Sequence, residues 1–225
     1  MRPALVLLLG LAACTPDAPA DVAPTDADRL LARVAPAALA PAFAALDARD
    51  VTADLVVALA SDEGAPSERR YALRQRDGKA TTDDGPAPRL QDPLASALPE
   101  DPPYADPASR DQYRRAVVGD TVVAGRRLAL VEAVLTDPDA EQGVRRVRAA
   151  VDAASGQPVV VTVHRALSSA VFDEQSRVSV ELMPDGDGWL PRRVETDTRT
   201  DVPLSPGRHV RTAWTVTSVD GRPLR

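Results

Sequence analysis

The spacing of apolar residues changes from a helical period to a period of two near residue 50. Leu39, Phe43 and Leu46 recur at intervals of four and three residues, which places them on one face of a helix. Beyond residue 50, apolar and polar residues alternate, so that Leu55 and Leu59 share one face of an extended chain. The pattern therefore predicts a short helical region followed by a domain built mainly of strands.

The helical region is predicted to begin near Asp26 and to contain two short helices. Thr25 and Asp28 have the spacing of a capping box, in which each side chain binds the backbone N–H of the other residue. Pro36 and Pro41 interrupt the apolar pattern, because proline lacks the N–H that a helix interior requires. Pro41 suits the first turn of the second helix, where that N–H has no partner.

Two groups of strands are predicted. Residues 51–61 and 68–76 form a hairpin, and residues 113–220 alternate almost without interruption. Turn residues rich in Asp, Gly and Pro divide the second group into strands at 113–118, 120–124, 127–136, 144–153, 158–167, 171–182, 189–200 and 208–219. The segment 128–135 is apolar on both faces apart from Glu132, which predicts a central strand.

An irregular, proline-rich loop is predicted at residues 80–112, between the two groups of strands. Seven prolines fall within 22 residues, and each removes a backbone donor that a sheet would use. A short helical turn around residues 94–98 is expected to pack on the body of the domain.

The N-terminus has the layout of a bacterial lipoprotein signal. Arg2 precedes an apolar segment at residues 4–11, which is shorter than the roughly 20 residues that span a bilayer. A Leu-Ala-Ala tripeptide then precedes Cys14 and resembles the lipobox, in which the cysteine receives a diacylglyceryl group and becomes the new N-terminus. Because Cys14 is the only cysteine, it cannot form an intrachain disulfide, and lipidation explains its presence. Residues 1–13 are therefore predicted to be a signal peptide.

The segment after the cleavage site predicts where the domain is held. Residues 14–25 combine the lipidated cysteine with a Pro/Ala-rich tether, since proline favours extended chain. Thr15 stands where an aspartate favours retention at the inner membrane in lipoproteins of this kind, so the outer membrane is favoured. We therefore expect an exported domain, residues 26–225, held by lipid on the periplasmic face of the outer membrane.

The sequence carries no pattern that indicates catalysis, a metal site or a cofactor, and it predicts a protein that is not an enzyme. The net charge of −6 argues against nucleic acid as a partner. His164 and His209 stand on predicted strands without further ligands at metal spacing. Asp185 and Asp187 fall in a glycine-rich hairpin turn, and Thr196 occupies the position at which a calcium loop needs glutamate.

Arginines recur on three predicted strand segments, at residues 68–76, 145–148 and 192–199. Such rows are able to bind lipid headgroups. They are also what the solvent-exposed face of an antiparallel sheet commonly carries. The sequence leaves both interpretations open.

Three local features follow the proline-rich loop along the chain. They are a strand interrupted at Gly125 (122–131), a hairpin with Gly156 and Pro158 at its turn (151–159), and a strand that opens with Gly-Trp-Leu-Pro (188–193). With the preceding helices and hairpin, they resemble the outer-membrane lipoprotein-sorting superfamily, which includes LolA, LolB and the mycobacterial lipid-binding lipoproteins. The resemblance covers about residues 26–220. It implies an α+β fold in which a strongly curved antiparallel β-sheet, an unclosed half-barrel, wraps around short helices.

The resemblance also implies a function, which is to bind an acyl chain, a lipid or a lipidated partner in an apolar cavity between sheet and helices. Aromatic residues are only 3% of the chain, so such a cavity would have a mostly aliphatic lining. The candidate lining residues are Leu39, Phe43, Leu55, Val57, Leu59, Tyr71, Leu73, Val147, Val151, Val178, Val180, Leu182, Trp214 and Val216. A lipid anchor excludes a soluble shuttle and leaves a membrane-bound receptor or lipid-binding protein. The sequence does not fix the oligomeric state, and we expect a monomer. The alternative is a non-catalytic structural or protein-interaction lipoprotein whose core is filled.

The lipid-attachment hypothesis makes a direct prediction. Replacing Cys14→Ala removes the only thiol in the chain, so incorporation of labelled palmitate should be abolished and the protein should remain uncleaved or be mislocalised. Labelling in cells followed by fractionation measures both effects, with Thr15→Ala as the control that keeps the thiol. Label retained in the Cys14→Ala protein would show that the lipid is attached elsewhere.

Overall fold

The computed structural model describes residues 25–87, 98–123, 125–140, 143–169 and 171–224. The signal segment, Cys14 and the tether before Thr25 lie outside the described residues, and so does the helical turn expected around residues 94–98, apart from Leu98. The division of the chain at residues 13 and 25 therefore stays a prediction.

Two short helices, α1 (Asp26–Leu31) and α2 (Pro36–Asp47), precede the sheet. The predicted capping box is confirmed at the start of α1. The Asp28 N–H donates to Thr25 Oγ1 at 3.2 Å, and the Thr25 N–H donates to Asp28 Oδ2 at 2.8 Å. These bonds satisfy backbone donors that have no partner within the first turn of a helix.

Helix α2 begins at Pro36 and continues through Pro41, so the prediction that Pro41 opens the second helix is wrong. Pro36 occupies the first helical position, where its missing N–H would have had no helical partner. Pro41 removes the hydrogen bond to the carbonyl of Ala37, and both residues are exposed. Because that carbonyl lies on the exposed side of the helix, α2 tolerates proline in its interior.

The described strands form one antiparallel sheet of twelve strands. Their order across the sheet is β4-β3-β2-β1-β11-β10-β9-β8-β7-β6-β5, and β12 pairs with β11 beside this path. The bounds are β1 (Val51–Ser61), β2 (Gly64–Arg76), β3 (Lys79–Thr82), β4 (Gly85–Pro86), β5 (Tyr113–Val123), β6 (Arg126–Leu135), β7 (Val144–Asp152), β8 (Pro158–Ser168), β9 (Asp173–Asp185), β10 (Gly188–Asp201), β11 (Arg208–Val219) and β12 (Arg222–Pro223).

The sheet is open and strongly curved, as the sequence predicts. Strands β4 and β5 are its two edges and do not pair with each other. Arg126 on β6 stacks over the ring of Trp189 on β10, with its guanidinium carbon 5.0 Å from the ring centroid. Four strand spacings of about 4.8 Å separate β6 from β10, so the two side chains meet only because the sheet curls between them. The α+β fold with an unclosed antiparallel sheet around helices is therefore confirmed.

Strands β5 and β6 differ from the prediction in two respects. The segments predicted as separate strands at 113–118 and 120–124 form one strand, β5, with a bulge between Val117 and Gly119. Gly119 adopts a φ of +153°, which residues with a side chain rarely adopt. Strand β6 is not central but lies next to the edge strand, and Leu130 and Val134 on its second face are only half-buried.

The two helices pack on the inner face of the sheet, which is the face that carries Trp214, Val180 and Val163. Helix α2 lies against β10, and α1 lies against β5 and β6. Apolar residues of both helices and of the inner face form a single buried core that includes Leu31 and Leu39. Residues alternating with these core positions form the outer face of the sheet.

Polar contacts fix the helices to particular strands. The Gln157 side-chain amide, in the turn between β7 and β8, donates to the Ala38 carbonyl of α2 at 3.1 Å. Arg115 on β5 forms an ion pair with Asp28 of α1, and both side chains are more than four-fifths buried. Burial acts to raise the pKa of Asp28, but the hydrogen bonds from Thr25 and the charge of Arg115 outweigh it and leave the pKa below its usual value.

The proline-rich segment is partly regular, contrary to the prediction of a loop over residues 80–112. It begins with β3 and β4, and Pro86 lies on an edge strand, where a missing N–H removes no interior ladder bond. Its later part is anchored, because Leu98 and Tyr104 are each only 1% exposed. A 3₁₀ turn at Arg110–Gln112 then leads into β5.

Two tyrosines hold this segment against the helices and the sheet. Tyr104 donates its hydroxyl to the Val34 carbonyl between α1 and α2. Tyr113 donates its hydroxyl to the Val144 carbonyl on β7 at 2.7 Å, and the two rings meet edge to face with centroids 6.2 Å apart. Burial raises the pKa of Tyr104, and it raises the pKa of Tyr113 to about 12, so both hydroxyls stay protonated and able to donate.

The buried Tyr104 bond yields a stability prediction. Tyr104→Phe leaves the Val34 carbonyl buried without a donor, which should lower the free energy of unfolding by about 1–3 kcal/mol. Urea unfolding followed by tryptophan fluorescence measures this difference. Tyr71→Phe is the matched control, because Tyr71 is half-buried and its hydroxyl makes no hydrogen bond to any described residue. We expect it to change the free energy of unfolding by less than about 0.5 kcal/mol. Equal effects of the two substitutions would contradict the anchoring role of Tyr104.

Candidate functional site

Most of the fourteen residues predicted to line a cavity do come together, in the core between helix α2 and the inner face of the sheet. Eleven of them are buried with at most 5% of their surface exposed: Leu39, Phe43, Leu55, Leu73, Val147, Val151, Val178, Val180, Leu182, Trp214 and Val216. All of these except Val178 belong to the single core cluster. The sequence pattern therefore identified the inner face of the sheet correctly.

The packing of these residues bears on whether a cavity is present among them. Leu39, Leu73, Val147 and Val151 have no exposed surface, and Val180 has 1%. A side chain that lines a space large enough for water keeps surface that water can touch, and these side chains keep almost none. An acyl chain could enter this part of the core only if the helices and sheet moved apart.

The other three candidates lie toward the end of the inner face that the helices leave uncovered. Val57 and Tyr71 are half-buried, and Leu59 is 47% exposed. Leu59 pairs with Ser67 on β2 and Val210 on β11, beyond the part of the sheet that α2 covers. Strand alternation placed Leu59 on the correct face but could not show how far the helices reach along it.

The edge strand β5 carries the largest exposed apolar surface that any strand shows in the described structure. Val117 is 46% exposed, Val118 is 47% exposed and Val122 is 67% exposed. Among the described residues, only β6 pairs with β5, so its other side presents unpaired backbone N–H and C=O groups. Helix α1 contacts β5 and holds Arg115, while the three valines lie beyond this ion pair along the strand.

A depression of about 1,020 Å³ lies beside this edge. Its apolar wall includes Val117, Ala129, Ala153 and Ala154. Charged residues border it, and one of them, Asp120, is paired with Arg127. Sequence analysis missed this site, although the adjacent pairs Val117-Val118 and Val122-Val123 break the alternation of a half-buried strand and were a usable signal.

A second depression, of about 630 Å³, lies on the outer face at the far end of strands β8 to β11. We call it the arginine trough. Its charged and imidazole residues are Arg145, Arg165, Arg177, Arg199, Arg208, His164, His209, Asp62 and Asp197. Five arginines and two aspartates line the trough, in a chain whose net charge is −6. By strand alternation, Arg177 and Arg199 project from the outer face, whereas Arg165 and Arg208 lie on the same side of their strands as Val163 and Val210, on the inner face.

The two histidines that the sequence left without a role both belong to the arginine trough. His209 Nε2 lies 2.7 Å from Asp197 Oδ1. His164 lies between Arg146 on β7 and Arg177 on β9, which are its direct partners across the sheet. Burial lowers the pKa of His164, and the charges of Arg177 and Arg146 lower it further, so the imidazole is neutral at pH 7.

The Asp-Gly turn between β9 and β10 has a structural explanation. Asp185 accepts a hydrogen bond from Arg49 at 2.8 Å, and the same guanidinium binds Asp220 at 2.6 Å. Gly186 has a φ of +57°, the left-handed conformation that such a turn requires. Over the described ranges, no three histidine, cysteine or acidic side chains are grouped as a metal site would need.

Comparison with known proteins finds similarity only among solved structures. No protein-family model and no curated protein matches the sequence. One similar structure is an outer membrane lipoprotein-sorting protein domain from Vibrio parahaemolyticus, with 13% identity and a TM-score of 0.31, covering 84% of this chain and 92% of that one. Another is a LolA superfamily protein from Nitrosomonas europaea, with 13% identity and a TM-score of 0.27, covering 85% of this chain and 94% of that one.

A further similar structure is the complex of MucA and MucB from Pseudomonas aeruginosa. The likeness has 13% identity and a TM-score of 0.27, and it covers 85% of this chain and 94% of the other. These structures include the superfamily that the sequence resembles. At such identities and TM-scores the likeness concerns general architecture alone, and no binding property passes from them to this chain.

The packed core leads to a prediction about Val180, which is 1% exposed. Val180→Trp should overpack the core and lower the free energy of unfolding by about 1–3 kcal/mol, because neighbouring side chains have no free volume to yield. Denaturant unfolding of the purified chain measures the change. Val122→Trp is the control, since Val122 is 67% exposed, and its effect should stay within about 0.5 kcal/mol. A Val180→Trp protein as stable as the unmodified chain would reveal unfilled space at this position.

Proposed function

We propose that the chain is a non-catalytic, exported binding protein that pairs an extended segment of a partner protein with the edge of β5. Its domain would be held at the periplasmic face of the outer membrane by lipid on Cys14. The observation that carries this proposal is the combination of an eleven-residue edge strand with three exposed valines and an adjoining depression.

The edge of β5 has the properties of a strand-addition site. Sheet edges normally carry devices that prevent pairing, such as charges, prolines or very short strands. The opposite edge, β4, has two residues and includes Pro86, whereas β5 has eleven residues and no proline. The charged residues Arg114, Arg115 and Asp120 and the bulge at Gly119 lie on β5 as well, and the exposed valines lie between and beyond them. Strand addition provides backbone hydrogen bonds for affinity and pockets for alternate side chains for specificity. The depression beside Val117 offers such a pocket.

Binding of an acyl chain or lipid inside the core is the competing proposal. The residues that would line such a site are on one face, which supports it, but they are packed without exposed surface at Leu39, Val151 and their neighbours. The core would have to open before lipid entered, at a cost in buried apolar area of about 25 cal/mol per Å². The edge of β5 needs no such rearrangement.

Export and anchoring rest on the N-terminal sequence. The apolar segment before Cys14 supports export, and the lone cysteine supports lipid attachment. Residues 26–47 also meet a length and hydropathy test for a membrane span. They nevertheless form two helices whose apolar residues pack in the core, and core helices commonly pass that test.

The strand-addition proposal predicts a site-specific crosslink. A photoreactive benzoylphenylalanine at Val122 should form discrete protein adducts in living cells, because this side chain projects from the edge that the partner would join. Adding Val118→Lys should remove those adducts, since an exposed lysine disfavours pairing at a sheet edge. Adduct bands on denaturing gels, identified by mass spectrometry, provide the measurement.

The control is the same photoreactive residue at Leu204, which is fully exposed in the turn between β10 and β11. Adducts at Leu204 identical to those at Val122, or adducts that survive Val118→Lys, would contradict strand addition. Titration of the purified chain with a fluorescent fatty acid tests the competing proposal. Saturable fatty-acid binding without edge adducts would assign the function to the core instead.

A further inference from the structure

We propose that the arginine trough on the outer face binds a phosphate group, carried either by a soluble phosphoester or by an anionic phospholipid headgroup. The proposal is independent of strand addition at β5, because the trough lies on other strands. The sequence left open whether the rows of arginines bind anions or only face solvent. The proposal assigns anion binding to the trough, which includes Arg145 and Arg199 from those rows.

The strand register aligns three trough residues, His164, Arg177 and Asp197, in one row that Arg146 and Arg211 continue on either side across five strands. Arg146 on β7 lies opposite His164 on β8, and His164 lies opposite Arg177 on β9. Arg177 in turn lies opposite Asp197 on β10, and Asp197 lies opposite Arg211 on β11. Neighbouring strands are about 4.8 Å apart, so Arg146 and Arg177 stand about 10 Å apart with an imidazole between them.

The next row, toward the turns, extends the positive charge. His209 on β11 lies opposite Arg199 on β10, and Arg199 lies opposite Gln175 on β9. A ligand in the trough therefore faces guanidinium groups from more than one strand, and a volume of about 630 Å³ is that of a small-molecule site.

The acidic residues of the trough are already engaged with other groups. Asp197 binds His209, and Asp62 accepts a hydrogen bond from the Gly207 N–H at 3.2 Å. Arg177, in contrast, has no carboxylate within 4 Å among the described residues, whereas Arg199 is paired with Asp201 and Arg146 is paired with Glu132. The trough thus keeps, at Arg177, a positive charge that no ion pair among the described residues neutralises.

Phosphate fits this arrangement of donors. Guanidinium groups bind phosphate oxygens through paired, charge-assisted hydrogen bonds. Arg177 is positioned to supply one such pair, and His164 beside it is able to donate a further bond once protonated.

His164 links anion binding to pH. The charged groups that face it are Arg146 from β7 and Arg177 from β9, and both disfavour its protonation in addition to burial. A bound phosphate would offset these charges and raise the pKa of His164. By linkage, phosphate affinity should increase as the pH falls through the pKa of His164, which lies below the ordinary value of 6.5.

The test uses pyrophosphate and the purified full-length chain. Calorimetric titration should show saturable binding, which Arg177→Gln weakens about tenfold or more through loss of a charged partner. Proton NMR of the two histidines should show the pKa of His164 rising with pyrophosphate, with the resonance assigned from its absence in His164→Gln. The matched control is Arg70→Gln, an outer-face arginine on β2 that is 79% exposed, and it should change affinity less than about twofold.

The source of the phosphate is distinguished with short-chain lipids. If dihexanoyl-phosphatidylglycerol raises the pKa of His164, and if Arg177→Gln removes that effect, the ligand is an anionic headgroup. Dihexanoyl-phosphatidylcholine should then leave the pKa of His164 unchanged. A shift with pyrophosphate alone would identify a soluble phosphoester. Absence of any shift with all three probes, or binding unaffected by Arg177→Gln in a folded protein, would overturn the proposal.

Discussion

The sheet depends on the pairing of β1 with β11, which joins the first long strand of the chain to the last. Eleven residues of β1 take part, from Val51 opposite Val219 to Ser61 opposite Arg208. Within the described residues, this is the one place where the N-terminal hairpin joins the sheet that runs from β5 to β11. The pairing also places α2, which directly precedes β1, against β10, and so closes the core. Because it spans most of the sequence, the loop it closes is long, and such non-local contacts slow folding.

Local pattern was sufficient to predict the elements but not their arrangement. Alternation located the strands from β6 to β11 to within three residues at each end, because each buries one face for most of its length. It failed where two local rules compete. Proline favours the first turn of a helix, but Pro41 lies in the interior of α2. The helix continues through it because Pro41 and the carbonyl of Ala37 are exposed. The bulge at Gly119 depends on a φ of +153°, which glycine adopts readily. The alternation pattern registers this glycine only as an interruption, so it predicted two strands where the structure has one.

The candidate sites required knowledge of neighbours that the sequence does not contain. Val151 and Val180 were assigned to the correct face, yet whether side chains fill the core depends on how closely the helices approach the sheet. His164 has no significance by itself in the sequence. It gains one only when the register places Arg146 and Arg177 on either side of it. Edge position is likewise a property of strand order, so the adjacent valine pairs of β5 could signal an interrupted alternation but not that the strand lies at an edge of the sheet.

In this sheet, the residues that stabilise the fold and the residues proposed to bind ligands lie on different surfaces. The inner face is occupied by the core, and at Leu39, Leu73 and Val147 it has no surface left for a ligand. Two regions of the described structure keep groups without a partner, namely the backbone N–H and C=O groups along the open side of β5 and the guanidinium group of Arg177 in the arginine trough. A partner at β5 would satisfy hydrogen bonds without disturbing the core, and an anion in the trough would neutralise charge without disturbing it either. A fold whose core is closed by distant strand pairing is therefore able to bind ligands at its edge and outer face while the pairing of β1 with β11 stays intact.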